Sequence, residues 1–423
     1  MNVKRAALAW PARRRVRRAE RGDSAVVRVA RQPILDRNSR VIGYELLFRA
    51  PGAHAANAAD DREATSAVIL DGMLDVGPLE LVGEKLAYVN VSRDFLLSVR
   101  PLPLAPRRVV LELLEDQPVD DALLEVLDEL RAGGFTIALD DFRRTPQTER
   151  LLTYAGVIKV DVLEHHAGKL VELVGYLRKH RPTAMLLAEK VESREDFERC
   201  RELGFDAFQG YFFARPARVR GERLPTHSLS ALSAMAELEA TEDFEELHRI
   251  ITRDAGLSMR LLRYANSAYV ALPKRVGSVQ EGLTWLGAEK VRRFALMVAL
   301  SGAVDVPNEL LVTALVRARM CEMLGGGGAA SGESSFTIGL FSVADALANA
   351  PMREVVEQLP FREDIVAALL SGSGELGELL RGVVAYQRGD FDAAAALIRR
   401  HPAIERVYRD AVMWADASIS QLS

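Results

Sequence analysis

The stretch FTIALDDF at residues 135–142 reads as a short apolar β-strand that ends in two adjacent carboxylates, Asp140 and Asp141. Strands buried on both faces of a parallel sheet are continuous apolar runs of this kind. Two buried carboxylates are costly unless a cation meets them. Because neighbouring strand residues point to opposite faces, one of the pair can enter a site while the other turns away. Taken alone, the pair also fits a solvated acidic turn.

Similar strands alternate with helices between residues 24 and 213. The predicted strands are 26–30, 39–49, 86–91, 108–113, 135–142, 157–161, 184–189 and 207–213, and the predicted helices are 62–74, 119–132, 147–154, 170–179 and 194–203. Repeated strand–helix units imply a parallel sheet. Seven or eight units favour a closed (β/α)8 TIM-like barrel over an open doubly wound sheet. No G-x-G-x-x-G or Walker A motif follows any of the strands, which weakens a nucleotide-fold alternative.

Polar side chains interrupt these apolar strands at or near their C-terminal ends. They are Glu45, Asn90, Glu112, Asp140, Asp141, Lys159, Glu189, Glu192 and Gln209. In a closed parallel barrel these ends open on one face, where the active sites of such barrels lie. Carboxylates gathered there repel one another unless cations neutralise them, and oxygen-rich sites suit Mg2+, Mn2+ or Ca2+ rather than zinc. With a lysine nearby to stabilise developing negative charge, the pattern predicts metal-assisted phosphoester hydrolysis.

Length and composition bound the class of protein. A chain of 423 residues fits two domains, each large enough to bury a core. The net charge of −4 does not favour nucleic acid as a partner. Two distant cysteines, Cys200 and Cys321, indicate a reducing, cytoplasmic setting without a disulfide framework. No apolar run approaches the roughly 20 residues that span a bilayer.

The order of the polar residues carries a family resemblance. From about residue 29 to residue 216 the chain resembles an EAL domain, the family of cyclic-di-GMP phosphodiesterases. The motifs are YELLFR at 44–49, NVS at 90–92, LELLE at 111–115, LDDF at 139–142, IKVD at 158–161, AEKVE at 188–192 and QGYFFARP at 209–216. The resemblance implies that Glu45, Asn90, Glu112, Asp140 and Asp141 hold two Mg2+ or Mn2+ ions, that Lys159, Glu189, Glu192 and Gln209 complete the catalytic site, and that Arg49 helps to hold the dinucleotide.

Two departures from the family pattern leave two functions open. DDFRRT stands at 140–145 where the family has DDFGxG, and Leu46 replaces the alanine of EAL. In active relatives that loop couples metal binding to dimerisation, and glycine allows backbone shapes that arginine resists. The barrel is therefore expected to be either a phosphodiesterase that opens cyclic-di-GMP to linear pGpG, or an inactive receptor or protein-interaction scaffold.

The second half of the chain has a helical pattern. Apolar residues recur at helical spacing in 247–251, 257–264, 283–286, 291–300, 344–369 and 376–398, with a glycine-rich break at 325–333. This half resembles an HDOD domain, an all-helical relative of HD phosphohydrolases that lacks their metal-binding His-Asp pair. The resemblance rests on RDAGLSMRLLRYANSA at 253–268, which contains Asp254, Leu257 and Asn266–Ser267, on LTWLG at 283–287 and on FTIGLFSVADAL at 336–347. We interpret Asn266–Ser267 as a helix-terminal hydrogen bond.

The predicted organisation is a basic tail at 1–23, an EAL-like barrel at 24–216, a linker at 217–226 and a helical HDOD-like domain at 227–423. The tail carries Lys4, Arg5, Arg13, Arg14, Arg15, Arg17, Arg18 and Arg21 against the single acid Glu20. It is expected to be disordered or to reflect a start site placed too early, with a polybasic arm as the alternative. HDOD domains resemble interaction or output modules, so an unidentified protein partner is expected through the helical half, and a homodimer is compatible with the resemblance.

Overall fold

Eight β-strands close into a barrel in the first half of the chain. The structure is a computed structural model that describes residues 27–49, 78–102, 104–114, 117–214, 243–253, 255–266, 272–288, 290–291, 294–295, 307–325, 332–359 and 361–422. The strands are β1 Arg28–Asp36, β2 Val41–Arg49, β3 Leu86–Val91, β4 Val109–Leu113, β5 Thr136–Leu139, β6 Ala155–Asp161, β7 Met185–Glu189 and β8 Ala207–Gln209. They pair in chain order around a closed ring. The TIM-like barrel predicted from the sequence is confirmed.

The strand directions differ from the prediction at β1. Strands β2 to β8 are parallel to one another, but β1 runs antiparallel to both β2 and β8. The prediction of an entirely parallel sheet is therefore wrong for β1. The cause is the short turn at 37–40, in which the Asp36 carboxylate accepts hydrogen bonds from the backbone N–H groups of Asn38 and Arg40. A tight turn joins antiparallel strands, whereas a parallel pair needs a long crossover.

Helices follow the later strands as predicted. In the barrel half they are α1 Pro78–Val82, α2 Arg93–Ser98, α3 Asp121–Ala132, α4 Pro146–Leu151, α5 Ala167–His180 and α6 Arg194–Leu203, and a 3-10 turn covers Phe212–Ala214. Side-chain caps begin several of them; the Asp120 carboxylate, for example, accepts the backbone N–H of Leu123 at the start of α3. The predicted helix at 62–74 lies outside the described residues.

The barrel interior separates an apolar floor from a polar mouth. The floor is a buried cluster of Ile34, Tyr88, Val110, Ala138, Val157, Leu187 and Ala207. Along each strand the residues two positions further toward the mouth share the same face. On β3 the step from Tyr88 leads to Asn90, and on β4 the step from Val110 leads to Glu112. The polar residues selected from the sequence therefore stand on top of a packed core.

The second half is helical, as predicted. Its helices are α7 Phe244–Arg253, α8 Ala255–Ala265, α9 Val279–Leu286, α10 Asn308–Gly325, α11 Gly332–Phe341, α12 Ala344–Ala348, α13 Met352–Val356, α14 Glu363–Ser371, α15 Gly374–Gln387, α16 Ala395–Arg400 and α17 Ile404–Leu422. The stretch with helical spacing at 344–369 forms α12, α13 and the start of α14, and Pro351 separates the first two because it begins α13 and cannot continue α12. No helix of the described ranges is both long and apolar enough to cross a membrane.

Asn266 closes the end of α8. Its side-chain amide donates to the carbonyls of Leu262 (2.8 Å) and Val276 (2.9 Å), and its carbonyl accepts the Val276 N–H. The helix-terminal role inferred for Asn266 is confirmed. Asp254 and Ser267 lie outside the described residues. Residues 1–26 and 215–242 also lie outside them, so the boundaries at 24, 216 and 227 stay predictions.

The helical half packs against the β1–β2 hairpin. Both α15 and α17 pack on β1, and α17 also packs on α1. Arg31 of β1 is 5% exposed; both of its terminal nitrogens donate to the carboxylate of Asp416 on α17, each over 3.1 Å. The Arg31 guanidinium also stacks over the ring of Tyr44 at 4.2 Å and donates to the Leu81 carbonyl. Buried charge therefore joins the two halves.

Glu309 extends this contact onto α10. Tyr44 donates its hydroxyl hydrogen to Glu309 Oε2 over 2.9 Å, and Glu309 is 5% exposed. Burial raises the pKa of Glu309 to about 7, although Arg31 and the Tyr44 hydrogen bond oppose the shift. Glu309 and Arg31 also line a small cavity of about 20 Å3 between the halves, which is room for a water molecule.

We expect Glu309→Gln to reduce the pH dependence of stability. The folded protein holds the Glu309 proton more tightly than the unfolded chain, so this contribution is present at low pH and lost as pH rises through about 7. Glutamine keeps an acceptor oxygen for Tyr44 but carries no charge. The variant should match the wild type near about pH 5 and exceed it by up to about 3 kcal/mol near about pH 8. Urea unfolding at the two pH values measures this. A parallel dependence in both proteins would contradict the assignment.

Candidate active site

The ammonium group of Lys159 lies among four carboxylates at the mouth of the barrel. The distances from Lys159 Nζ are 3.2 Å to Glu45 Oε2, 2.9 Å to Glu112 Oε1, 2.7 Å to Asp140 Oδ1 and 3.0 Å to Glu189 Oε1. These residues come from β2, β4, the end of β5, β6 and β7. The strand-end pattern in the sequence therefore corresponds to one group of side chains in space.

Two side-chain amides complete the group around Glu45. Asn90 Nδ2 donates to Glu45 Oε1 over 3.0 Å, and Gln209 Nε2 donates to Glu45 Oε2 over 2.6 Å. The second amide also donates to Gln32 Oε1 over 3.0 Å. Both oxygens of Glu45 are thus fixed in direction.

Gln32 was missed from the sequence. It lies opposite Glu45 in the β1–β2 pairing and is the middle residue of β1. The search used the C-terminal ends of parallel strands, and β1 runs the other way. Its signal is a polar side chain inside the apolar run VARQPIL at 29–35, together with the hairpin turn that follows.

Burial and neighbouring charges shift the pKa values of these carboxyl groups in opposite directions. Burial raises the pKa of Glu112 well above its usual value, and the neighbouring Glu45 adds to the shift. Burial likewise raises the pKa of Glu189 to about 8. Burial also opposes ionisation of Glu45, but Lys159 and the two amides outweigh it and lower the pKa of Glu45. The four carboxylates together raise the pKa of Lys159 well above its ordinary value, despite its burial. With one ammonium among four carboxyl groups, Glu112 and Glu189 favour their protonated forms, and an additional cation would favour their ionised forms.

The donor set fits a hard divalent cation. Buried oxygens without a hydrogen-bond partner include Asn90 Oδ1, Glu112 Oε2, Glu189 Oε2 and Gln209 Oε1. Glu112 Oε1 and Asp140 Oδ1 lack hydrogen-bond geometry as well, although both lie within ion-pair distance of Lys159. Carboxylate and amide oxygens are the ligands that Mg2+ and Mn2+ take. In the described ranges, no three Asp, Glu, His or Cys side chains form a ready metal-ligand set. The carboxylates here are gathered on Lys159 instead.

Three predicted site residues lie away from Lys159. Asp141 follows Asp140 with a positive φ of 39° and makes no ion pair with Lys159. Glu192 is an exposed residue of the loop after β7. Arg49, at the end of β2, pairs with Asp392 of the helical half, at 3.1 Å between Nη2 and Oδ2. The structure thus brings together Glu45, Asn90, Glu112, Asp140, Lys159, Glu189 and Gln209, and leaves the other three at the rim.

Two non-glycine residues with a left-handed backbone conformation lie beside the site. Besides Asp141, Lys190 has a positive φ of 55°, and its side chain pairs with Asp161 at the end of β6. Gly210 has a φ of 146°, and any Cβ there would collide with the backbone of Val191. A non-glycine residue with positive φ costs about 1–3 kcal/mol of folding free energy, and such residues cluster at functional sites.

The loop after Phe142 is well supported by its own side chains. Arg143 pairs with Glu164 at 2.5 Å, and Arg144 pairs with Glu149 at 2.7 Å. Thr145 begins α4 with a reciprocal capping box to Thr148. Arg143, which replaces the first glycine of the family pattern, and its neighbour Arg144 therefore both form ion pairs in the loop before α4.

The comparisons with protein families divide the chain as the fold does. The EAL domain family matches residues 90–216, and the HDOD domain family matches residues 224–343. Glu45 and Arg49 precede the EAL match, while the other candidate site residues lie inside it. Among solved structures, the calcium and cyclic-di-GMP complex of BlrP1 from Klebsiella pneumoniae is 26% identical with a TM-score of 0.36. That likeness covers 45% of this chain and 56% of the BlrP1 chain.

Two curated relatives align with nearly the whole chain. YuxH of Bacillus subtilis, described as uncharacterized, is 30% identical over 401 residues, which are 91% of this chain and 97% of YuxH. CdgJ of Vibrio cholerae, described as a cyclic di-GMP phosphodiesterase, is 34% identical over 369 residues, which are 86% of this chain and 85% of CdgJ. Identity at this level along both halves, together with the two domain matches, shows that the chain belongs to the family of proteins that join an EAL domain to an HDOD domain.

Proposed function

We propose that the barrel binds cyclic-di-GMP and hydrolyses it to linear pGpG with bound divalent metal, and that the helical half is its output or interaction module. The observation that carries this proposal is the group of four carboxylates and two amides around Lys159 at the barrel mouth. The description of the relative CdgJ as a cyclic di-GMP phosphodiesterase supports cyclic-di-GMP as the proposed substrate. Opening the ring requires water to replace one bridging ester oxygen at phosphorus.

The proposed metal ligands are the oxygens of Glu45, Asn90, Glu112, Asp140 and Asp141. Mg2+ or Mn2+ held there would polarise the phosphoryl group and lower the pKa of a bound water. The two amide hydrogen bonds on Glu45 would hold its oxygens in a fixed direction, which outer residues commonly do for metal ligands.

The proposed catalytic residues are Lys159, Glu189, Glu192 and Gln209. Lys159 supplies a buried positive charge where negative charge develops on the phosphoryl oxygens. Glu189, whose pKa burial raises to about 8, can hold a proton near neutral pH and pass it on. Gln209 orients Glu45, and the exposed Glu192 lies at the rim. Arg49 is proposed to bind a phosphate of the dinucleotide through its planar guanidinium.

A receptor without turnover is the second candidate function. The loop after Phe142 favours it, because Arg143 and Arg144 stand where active relatives are expected to have glycine-containing sequence. Ion pairs from both arginines and the Thr145 cap tie this loop to its own surroundings. A loop held in this way would transmit a change at the metal site less effectively to a partner subunit. Ligand binding would then remain intact while turnover was reduced.

Incubation of the purified protein with cyclic-di-GMP and Mn2+ or Mg2+ separates these functions. The expected result is conversion to pGpG, seen by chromatography, that stops when EDTA removes the metal and resumes when Mn2+ is restored. Binding without product, measured by calorimetry, would select the receptor. Absence of both binding and product would contradict each nucleotide function and leave the protein-interaction scaffold.

The proposed partner of the helical half is another protein chain, and a homodimer stays a prediction. The exposed apolar side chains there, which include Met259 and Trp285, are compatible with such a contact. Size-exclusion chromatography with light scattering tests the homodimer.

A further inference from the structure

One turn of the helical half contacts the barrel at the rim of the candidate site. This turn, residues 388–392, connects α15 to α16. Asp392 Oδ2 lies 3.1 Å from Arg49 Nη2, and the guanidinium of Arg388 lies 4.7 Å from the ring centre of Tyr211. Gly389 lies against Leu47, because a Cβ added there would come 2.5 Å from Leu47 Cδ1. The turn therefore reaches two rim segments, the end of β2 and the residues after β8.

The 388–392 turn holds a fixed shape. Gly389 has a φ of 75°, a conformation that glycine adopts without cost. The buried ring of Phe391 in the turn meets the buried ring of Tyr386 in α15 edge to face at 5.2 Å. Asp390 accepts the backbone N–H of Ala393 with its carboxylate over 3.0 Å. Asp392 is thus presented from a supported backbone rather than from a free loop.

Arg49 occupies a position from which it can serve the site. It is four residues beyond Glu45 on β2, so both side chains share one face of the strand, about 13 Å apart along it. Its side chain is 15% exposed and its partner Asp392 is 47% exposed. The carboxylate of Asp392 therefore satisfies the guanidinium from the solvent side, where an anionic ligand would approach.

We propose that Asp392 competes with a nucleotide phosphate for Arg49, so that ligand binding in the barrel releases the 388–392 turn of the helical half. This inference rests on the proposed function, because it takes cyclic-di-GMP as the ligand of Arg49. Carboxylate and phosphate both accept paired hydrogen bonds from a guanidinium, so one replaces the other without a new type of contact. A coupling of this kind is reciprocal: the docked turn weakens ligand binding, and the bound ligand weakens docking.

The expected size follows from the exposure of the pair. Half-exposed ion pairs contribute little, and removal of Asp392 should tighten binding by about two- to five-fold. The effect should shrink at high salt, because exposed charges are screened. Asp392→Asn keeps the shape of the side chain and removes the charge, and its exposure makes misfolding a minor concern.

Calorimetric titration of the full chain with cyclic-di-GMP in Ca2+ tests the proposal. Asp392→Asn should bind more tightly than the wild type, whereas the charge-matched control Asp410→Asn, on the exposed face of α17, should not. Arg49→Ala should weaken binding, and adding Asp392→Asn to Arg49→Ala should have no further effect. Hydrogen exchange of the peptide spanning 386–394 should rise on ligand binding in the wild type but not in Arg49→Ala.

Two results would overturn the inference, and they are distinguishable. If Arg49→Ala weakens binding while Asp392→Asn leaves it unchanged, the ligand uses Arg49 but Asp392 does not compete, and the proposed function survives. If neither the wild type nor any variant binds cyclic-di-GMP, the proposed function fails together with this inference.

Discussion

Glu45→Gln should lower the rate of cyclic-di-GMP hydrolysis by more than about 100-fold while leaving the protein folded. Loss of an outer residue that only orients a metal ligand costs about 10- to 100-fold, so loss of a ligand itself should cost more. Glu45 also lies 3.2 Å from Lys159 and accepts hydrogen bonds from Asn90 and Gln209. Glutamine preserves the volume of the Glu45 side chain. Its amide nitrogen, however, is a hydrogen-bond donor, and the amides of Asn90 and Gln209 also donate at this position.

Two measurements separate a lost metal ligand from a damaged fold. Mn2+ should raise the melting temperature of the wild type, because a cation that binds only the folded state stabilises it, and this rise should be lost in Glu45→Gln. The control Glu172→Gln removes an exposed carboxylate of α5 and should retain both turnover and the Mn2+ effect. Turnover by Glu45→Gln within a few-fold of the wild type would remove Glu45 from the site.

Most of the barrel and most of the site follow from one local pattern. Apolar runs such as residues 108–113 and 184–189, each carrying or ending in a carboxylate, specify buried strands whose ends meet. That pattern led to Glu112, Lys159 and Glu189, which the structure places together. The pattern works for these residues because the C-terminal ends of parallel strands all lie at the same end of a closed barrel.

The sequence pattern fails where chain direction or distant contact decides the geometry. The antiparallel β1 brings Gln32 beside Gln209, and only the turn at 37–40 gives a local sign of that direction. The pairing of Arg49 with Asp392 joins residues 343 positions apart, and neither flanking sequence marks it.

The β1–β2 hairpin gives the two halves a structural reason to act together. Tyr44 and Glu45 are neighbours on β2 and therefore point to opposite faces. Tyr44 meets Glu309 of the helical half, while Glu45 meets Lys159 inside the barrel. A shift of α10 or α17 against this hairpin would thus act on the strand that carries the proposed metal ligand.

Arg31→Met should destabilise the protein by about 3 kcal/mol, because removing one partner of a buried ion pair leaves the other uncompensated. Arg31 donates to Asp416, stacks on Tyr44 and donates to the Leu81 carbonyl, and methionine replaces none of these polar contacts. Asp416 is 38% exposed and can regain water, which keeps the loss below that of a fully buried pair. The midpoint of urea unfolding measures the change.

Two further variants decide whether the charge of Arg31 is the cause. Arg40→Met, in the exposed hairpin turn, removes an arginine without a described side-chain contact and should change stability by less than about 0.5 kcal/mol. Adding Glu309→Gln to Arg31→Met should restore part of the loss, since the buried carboxylate then no longer needs a cation. Equal stabilities of Arg31→Met and the wild type would show that apolar packing alone joins the halves. In that case the charge of Arg31 would have no part in the connection from α10 through Tyr44 to Glu45.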